Sequence, residues 1–306
     1  MTFNISLVAF LPCKTFLYGK KNEKLESFFS IITPAYNSRQ TIYDTICSVI
    51  AQQDVHVELI VVDGGSTDKT LDIVQAFEHG HIRFISEPDN GIYDAMNKGL
   101  KMARGRYLGI LNSDDYFVDP HILRDVEALF EKTGADTVYG DLNFVDPKHP
   151  DKIVRHWRAG SFKRKKFLYG WMPPHPVFFV RRECYEQYGY FDLRYRSSAD
   201  YELMLRFLYK YGLTAAYLPR VLAHMRTGGQ SNASWSNRLR ANREDRAAWK
   251  NNGLKPLPVT TLLKPIRKIP QFWVRKRMLP PAITLFPGTQ AHIETESKQV
   301  HRNNIV

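Results

Sequence analysis

Only three cysteines, Cys13, Cys47 and Cys184, occur in 306 residues. An odd number at such wide spacing makes neither a disulfide framework nor a metal-binding repeat, and it fits a reducing compartment. No apolar run reaches the roughly 18 to 20 residues of a membrane span. The stretch Ile5–Pro12 is apolar but short, follows no basic region and precedes no small-residue cleavage site, so it is not expected to be a signal peptide. Internal repeats and low-complexity blocks are absent. So are a Gly-x-x-x-x-Gly-Lys loop and a Gly-x-Gly-x-x-Gly after a strand, which argues against a P-loop phosphotransferase and a nicotinamide enzyme. With 43% apolar and 24% charged residues, the chain can bury a sizeable core.

The net charge of +12 invites a nucleic-acid reading, but its distribution points elsewhere. Residues 28–237 hold 25 basic and 25 acidic side chains, whereas residues 238–306 hold 14 basic and four acidic. The body is neutral and the surplus belongs to the tail. No nucleic-acid partner is expected.

From Phe28 onward, strand-like and helix-like patterns alternate. Apolar or β-branched runs at 28–33, 57–62, 82–86, 107–111 and 137–139 predict strands. Helical spacing predicts helices over 41–52, 70–77 (capped by Ser66, Thr67 or Asp68), 92–103 and 120–131. This alternation implies an α/β fold with a mostly parallel central sheet and helices on both faces. Ligands in such sheets bind beyond the carboxyl ends of the strands. Here those ends carry Thr33-Pro34-Ala35-Tyr36-Asn37, Asp63-Gly64-Gly65-Ser66-Thr67-Asp68, Ser86-Glu87-Pro88-Asp89-Asn90-Gly91 and Asn112-Ser113-Asp114-Asp115. Turn chemistry alone explains any one of these clusters. Several acidic clusters on one edge call for a cation, and Asp114-Asp115 is a plausible ligand pair.

The ordered set Ser30–Asn37, Val61–Asp68, Asn97–Leu100, Ala103–Tyr107 and Leu111–Asp115 closely resembles the family 2 inverting glycosyltransferases. The resemblance covers roughly residues 28–230. It implies a GT-A fold, Rossmann-like, and a nucleotide-diphospho-sugar donor. The stretch Glu87–Gly99 looks like the branch that builds exopolysaccharides and colanic-acid-type polymers. Carried over, the pattern puts Thr33, Pro34 and Tyr36 on the first nucleotide loop and has Asp63 read the base or ribose. Asp89 borders the nucleotide, and Asn97, Asn112 and Ser113 join the nucleotide-sugar set. Asp114 becomes the ligand of a divalent metal, Mn²⁺ or Mg²⁺, with Asp115 beside it. The chain departs from the Asp-x-Asp metal motif at Asn112, whose amide can accept a hydrogen bond but brings no charge.

In the second half, Asp200 opens a predicted helix. By position it is either a cap or first-turn dipole partner, or a functional acid. The resemblance favours the latter, since the family's Glu-Asp pair before a helix matches Ala199-Asp200, and it makes Asp200 the general base. His175 either lines the acceptor or donor pocket or is structural. Trp171 either stacks on a sugar or fills the core. His224–Ser231 resembles the family's flexible loop over the diphosphate, with His224 near metal or phosphate and Arg226 paired with phosphate. The family's processive members carry a Gln-x-x-Arg-Trp motif and membrane helices, which this sequence lacks, so a single transfer per encounter is implied.

A further helix is predicted over 232–251. Beyond it, Leu262–Leu279 alternates apolar blocks with Lys and Arg, a pattern suited to an anionic membrane interface. The expected organisation is a poorly ordered extension over 1–27, a GT-A domain over 28–231, and a basic helical or amphipathic extension over 232–306 with a disordered end. The expected activity is non-processive sugar transfer to a lipid-linked glycan at the cytoplasmic face of the plasma membrane. The alternatives are another nucleotide-sugar enzyme such as a nucleotidyltransferase, or a non-catalytic nucleotide-sugar binder.

Overall fold

A computed structural model describes residues 28–77, 82–228 and 235–272. The expectations for 1–27 and 273–306, and for Gly229–Ser231 of the diphosphate loop, lie outside these residues. Four strands open the chain: β1 (Phe28–Ala35), β2 (His56–Asp63), β3 (Ile82–Ser86) and β4 (Tyr107–Ile110). They pair in parallel in the order β3-β2-β1-β4. Three helices make the crossovers: α1 (Ile42–Ile50), α2 (Thr70–Ala76) and α3 (Ile92–Met102). Parallel strands need such crossovers, and burial on both faces explains their nearly unbroken apolar runs. The start of α2 differs from expectation: Lys69, at φ +71°, precedes its first residue. The Asp68 carboxylate accepts the Thr70 N–H at 3.1 Å.

The later strands correct the mostly parallel expectation. They are β5 (Asp115–Phe117), β6 (Thr137–Val145), β7 (Ile153–Trp157), β8 (Phe178–Arg181) and β9 (Ala215–Arg226), with α4 (Ile122–Thr133) between β5 and β6. The full order is β3-β2-β1-β4-β8-β6-β9-β5, with β7 added to β6. Four pairings are parallel and four antiparallel, so the sheet is mixed. Only β6 and β7 are joined by a short return, which favours antiparallel pairing; the other three antiparallel pairs, β4–β8, β5–β9 and β6–β8, join strands distant in sequence.

Strand alternation divides the core between two faces. On one, Phe29, Ile31, Leu59 and Val138 pack with residues of α1 and α4. On the other, Ile32, Leu108 and Tyr139 pack with Met96 and Leu100 of α3 and with later helices. Those helices are α5 (Arg182–Tyr188), α6 (Ala199–Met204, continued by a π-helical turn over Leu205–Lys210), α7 (Trp235–Asn251) and α8 (Thr260–Ile266). A 3-10 turn, Ile269–Phe272, follows α8. Trp249 of α7 is fully buried and donates to the Tyr201 hydroxyl at 2.9 Å.

One glycine sets the position of α3. A Cβ at Gly99 would stand 2.4 Å from Ile32 Cγ2 and 3.1 Å from Val62 Cγ2. The bare backbone therefore lets α3 lie close on β1 and β2. That approach carries Tyr93 and Asn97 toward α6.

Candidate active site

The loops after β1 and β2 lock together at the carboxyl edge. Asn37, at φ +49°, donates its N–H to Ser66 Oγ at 2.8 Å and accepts the Thr67 N–H on Oδ1 at 2.9 Å. Ser38 N–H reaches Thr70 Oγ1 at 2.8 Å. Thr33 and Pro34 are buried within β1, and the Thr33 hydroxyl has no partner among the described residues. Tyr36 stands 57% exposed on the loop.

Asp63, expected to read the base or ribose, is fully buried and holds its own loop. Its Oδ2 accepts Gly65 N–H (3.1 Å), Ser66 N–H (3.0 Å) and Ser86 Oγ–H (2.7 Å), while Ser66 Oγ–H binds Oδ1. The Asp89 carboxylate closes over Gly64, where an added Cβ would lie 2.4 Å from Asp89 Oδ2. Tyr36 and Asp89 therefore line the outer side of these loops.

The next cluster follows β4. Ser113 Oγ and Ser38 Oγ share a 2.7 Å hydrogen bond that ties it to the first loop. Tyr116 pairs with His224 across β5 and β9, and their rings stack at 5.4 Å. Asp114 lies in the turn just before β5, whereas Asp115 is the first residue of the strand, on the face opposite Tyr116 and His224. Arg226 donates to the Asp114 carbonyl at 2.9 Å, pairs with the Asp44 carboxylate and lies over the Tyr116 ring. Its hydrogen bonds hold the loop instead of pointing outward to phosphate. Burial raises the Asp114 carboxyl and Arg226 opposes the rise. Burial, with Arg226 nearby, lowers His224 to about 4, so its imidazole is neutral at physiological pH.

Asp115 is fully buried, and burial, with Asp114 adding, raises its carboxyl well above the ordinary range. Asn112 donates Nδ2–H to Asp115 Oδ2 at 3.1 Å. This explains the missing first acid of the motif: a carboxylate at 112 would face Asp115 with like charge, whereas the amide supplies a donor. Replacing Asp115 with Asn should stabilise the metal-free protein at pH 7 by roughly 1 to 3 kcal/mol, because a carboxyl that ionises freely in the unfolded chain resists ionisation in the core. Because the folded carboxyl titrates above the unfolded one, the wild-type penalty is absent below the unfolded value and grows as pH rises above it, so it is larger at pH 7 than at pH 4. Urea melts at both pH values test this, and no gain at pH 7 would refute it.

Unpaired buried atoms concentrate here. Thr33 Oγ1, Asn112 Oδ1, Asp115 Oδ1 and His224 Nδ1 lack partners among the described residues. No three His, Cys, Asp or Glu among those residues gather closely enough to hold a metal alone. Asp114 together with donor phosphate oxygens suits a Mg²⁺-type site, which takes few protein ligands.

The second acidic centre lies at the start of α6. The side chain of Ser198, which precedes the helix, makes no cap there. The preceding turn is held instead by Glu244 of α7, which accepts the N–H groups of Arg196 (3.2 Å) and Ser197 (2.8 Å). The Asp200 carboxylate is thus left to face α3, where Tyr93 O–H donates to Oδ1 at 3.2 Å. Asp200 and His175 line a small cavity with Ile110, Phe178, Phe191 and Leu203. Burial lowers the His175 ring and Asp200 counteracts it. Ala199 is fully buried, so the acid missing at that position would have lain in the core.

Two expected residues are turned elsewhere. Asn97 exchanges two hydrogen bonds with the Phe191 backbone, at 2.8 and 2.9 Å. Phe191 stacks on Tyr93 at 5.4 Å, so Asn97 supports the wall beside Asp200. Trp171 is buried among Tyr139, Phe162 and Phe167, with Nε1–H on the Ala159 carbonyl at 2.9 Å. Tyr93 and Asp44 were not anticipated. Tyr93 sits one helical turn before Asn97, a spacing that could have revealed it; the Asp44–Arg226 pair spans 182 residues and leaves no local trace.

Residues 30–189 match the family model described as glycosyl transferase family 2. A Mycobacterium bovis protein named PGL/p-HBAD biosynthesis glycosyltransferase is 33% identical over 209 residues, 67% of this chain and 79% of its own length. A Bacillus subtilis protein named for teichuronic acid biosynthesis, TuaG, is 39% identical over 130 residues, 41% of this chain and 51% of its own length. Among solved structures, S. aureus TarS 1–349 in complex with UDP-GlcNAc superposes with TM-score 0.57 at 20% identity, covering 74% of this chain and 68% of that one. The mannosyltransferase PcManGT from Pyrobaculum calidifontis, in complex with GDP-Man and Mn²⁺, gives TM-score 0.55 at 15% identity, covering 89% and 79%. This chain spans 40% of a longer TarS chain. At these identities the structural likeness speaks for the fold alone.

Proposed function

Since the chain belongs to glycosyl transferase family 2, we propose that it moves a single sugar, with inversion, from a nucleotide-diphospho-sugar to a lipid-linked glycan. The observation that carries this reading is Asp200, whose carboxylate accepts the Tyr93 hydroxyl and lines a cavity with His175. An acceptor hydroxyl there attacks the anomeric carbon from the side opposite the diphosphate while Asp200 takes its proton. Tyr93 and the Asn97–Phe191 pair hold that wall in place. On the other side, Tyr36 and Asp89 border the nucleotide, Asp63 shapes its loop, and Arg226 fixes the loop of Asp114. A divalent cation held by Asp114 and the donor phosphates would stabilise charge on the leaving diphosphate. His224, neutral and unpaired at Nδ1, is the nearest candidate for a further contact.

The relatives named for PGL/p-HBAD and teichuronic acid biosynthesis, and the stretch Glu87–Gly99, support a place in surface polysaccharide assembly. A donor-hydrolysis screen across nucleotide sugars, with and without Mn²⁺, tests the reading. One donor should be consumed with Mn²⁺ dependence. Tight binding without turnover would instead favour the non-catalytic alternative.

No helix among the described residues is long and apolar enough to cross a membrane. We infer peripheral attachment at the cytoplasmic leaflet. Ile266, Ile269 and Phe272 are 55%, 55% and 60% exposed. They continue in sequence into Trp273–Leu279; α8, which ends at Ile266, packs against the basic turn Arg164–Tyr169, and the turn carrying Ile269 and Phe272 packs on β7. Apolar tips among cations suit anionic lipid. The full chain should float with phosphatidylglycerol vesicles, and Ile266→Ser/Ile269→Ser/Phe272→Ser should float several-fold less. Equal flotation would refute the assignment.

A further inference from the structure

The segment from Thr260 to Phe272 is fixed against the body beside α6. Thr260 Oγ–H donates to the Leu168 carbonyl at 2.6 Å. Gly170, at φ +74°, lies so close that an added Cβ would stand 2.5 Å from the backbone N of Lys264. Lys264 Nζ donates to both Asp245 oxygens at 2.8 Å and lies 3.9 Å from the centre of the Tyr201 ring, next in sequence to Asp200. At the far end, Arg155 of β7 donates Nε–H to Gln271 Oε1 at 2.7 Å and stacks over Phe144, Trp157 and Phe272.

These anchors gather three cations, and two are occupied: Lys264 by Asp245, and Arg155 by Gln271. The third, Lys268, follows α8 in a turn closed by its N–H on the Pro265 carbonyl at 3.1 Å. Its half-buried ammonium makes no hydrogen bond or ion pair among the described residues. Burial, with Lys264 and Arg155 nearby, brings it down to about 8, while Asp245 and Asp200 pull it back up. Lys268 stands one helical turn beyond Lys264, whose ammonium packs on Tyr201, the neighbour of Asp200, so the unpaired cation belongs to the Asp200 side. A partly desolvated ammonium among like charges is unfavourable alone. An incoming anion relieves it. A compact ammonium with a second cation close by suits a phosphate, which can carry two charges, better than a carboxylate.

We propose that Lys268 is an acceptor-binding residue, receiving a phosphate ester of the acceptor while a hydroxyl of the same molecule is presented to Asp200. The inference rests on the reading above, in which Asp200 marks the acceptor side.

The test is equilibrium binding to the full chain in EDTA, which leaves the Asp114 side without metal and needs no turnover. The probes are octyl phosphate below its micelle concentration, octyl glucoside as its neutral counterpart, and short-chain phosphatidylglycerol. Octyl phosphate should bind wild type, lose at least tenfold in Lys268→Met, and return to within about threefold in Lys268→Arg. Octyl glucoside should not discriminate between the variants. Unchanged octyl phosphate binding in Lys268→Met overturns the proposal, as does a parallel loss for octyl glucoside. A loss confined to phosphatidylglycerol assigns Lys268 to a membrane headgroup and equally overturns the acceptor role. Failure of the donor screen leaves this measurement intact, so the two readings fail separately.

Discussion

Asp200→Asn should lower kcat for sugar transfer about a thousandfold while leaving the thermal midpoint within a degree or two of wild type. The size follows from the usual worth of a positioned general base, roughly 10² to 10⁴. The specificity follows from what the substitution leaves intact. Asn keeps an oxygen to accept the Tyr93 hydroxyl, and it matches Asp in volume. The start of α6 does not depend on the Asp200 side chain, because Glu244 satisfies the preceding N–H groups. What disappears is the ability to take a proton from an acceptor. Single-turnover assays with saturating donor read this directly, beside a thermal melt. Wild-type turnover by Asp200→Asn would remove the base assignment and with it the acceptor side of the cleft.

Much of the first half was legible because it obeys local rules. Buried parallel strands are nearly unbroken apolar runs, so β1, β2 and β4 are apparent at Ile31-Ile32, Leu59–Val62 and Leu108–Ile110. Their ends carry polar loops that must lie on one edge. The second half was harder to read because its geometry rests on distant partners. The return of β8 and β9 into the sheet, which makes it mixed, has no signature in periodicity. Whether Asp63 faced a ligand or its own loop depended on Ser86, a strand away. Asp114 and Asp115 look equivalent in sequence, yet pairing of β5 with β9 takes Asp115 into the core and leaves Asp114 half-buried in the turn before the strand. Lys268 reads as one more charge in a basic tail until Gly170 and Asp245 fix α8 beside Tyr201. The sequence features left unassigned are those whose meaning depended on a contact across the fold.

That separation of Asp114 from Asp115 sets the second large effect. Asp114→Ala should abolish Mn²⁺-dependent donor turnover, again by about a thousandfold, whereas Asp115→Asn should change stability more than rate. A cation at a departing diphosphate supplies several kcal/mol, and each 1.4 kcal/mol is roughly a factor of ten. The loop should survive the truncation, because Arg226 grips the backbone carbonyl of Asp114 and not its carboxylate. Calorimetric titration of the preferred nucleotide sugar gives a readout independent of turnover. Wild type should bind more tightly with Mn²⁺ than in EDTA, and Asp114→Ala should bind equally weakly in both. If Mn²⁺ leaves wild-type affinity and turnover unchanged, the metal assignment is lost. The unpaired His224 Nδ1 and Asn112 Oδ1 would then have to be met by the donor itself.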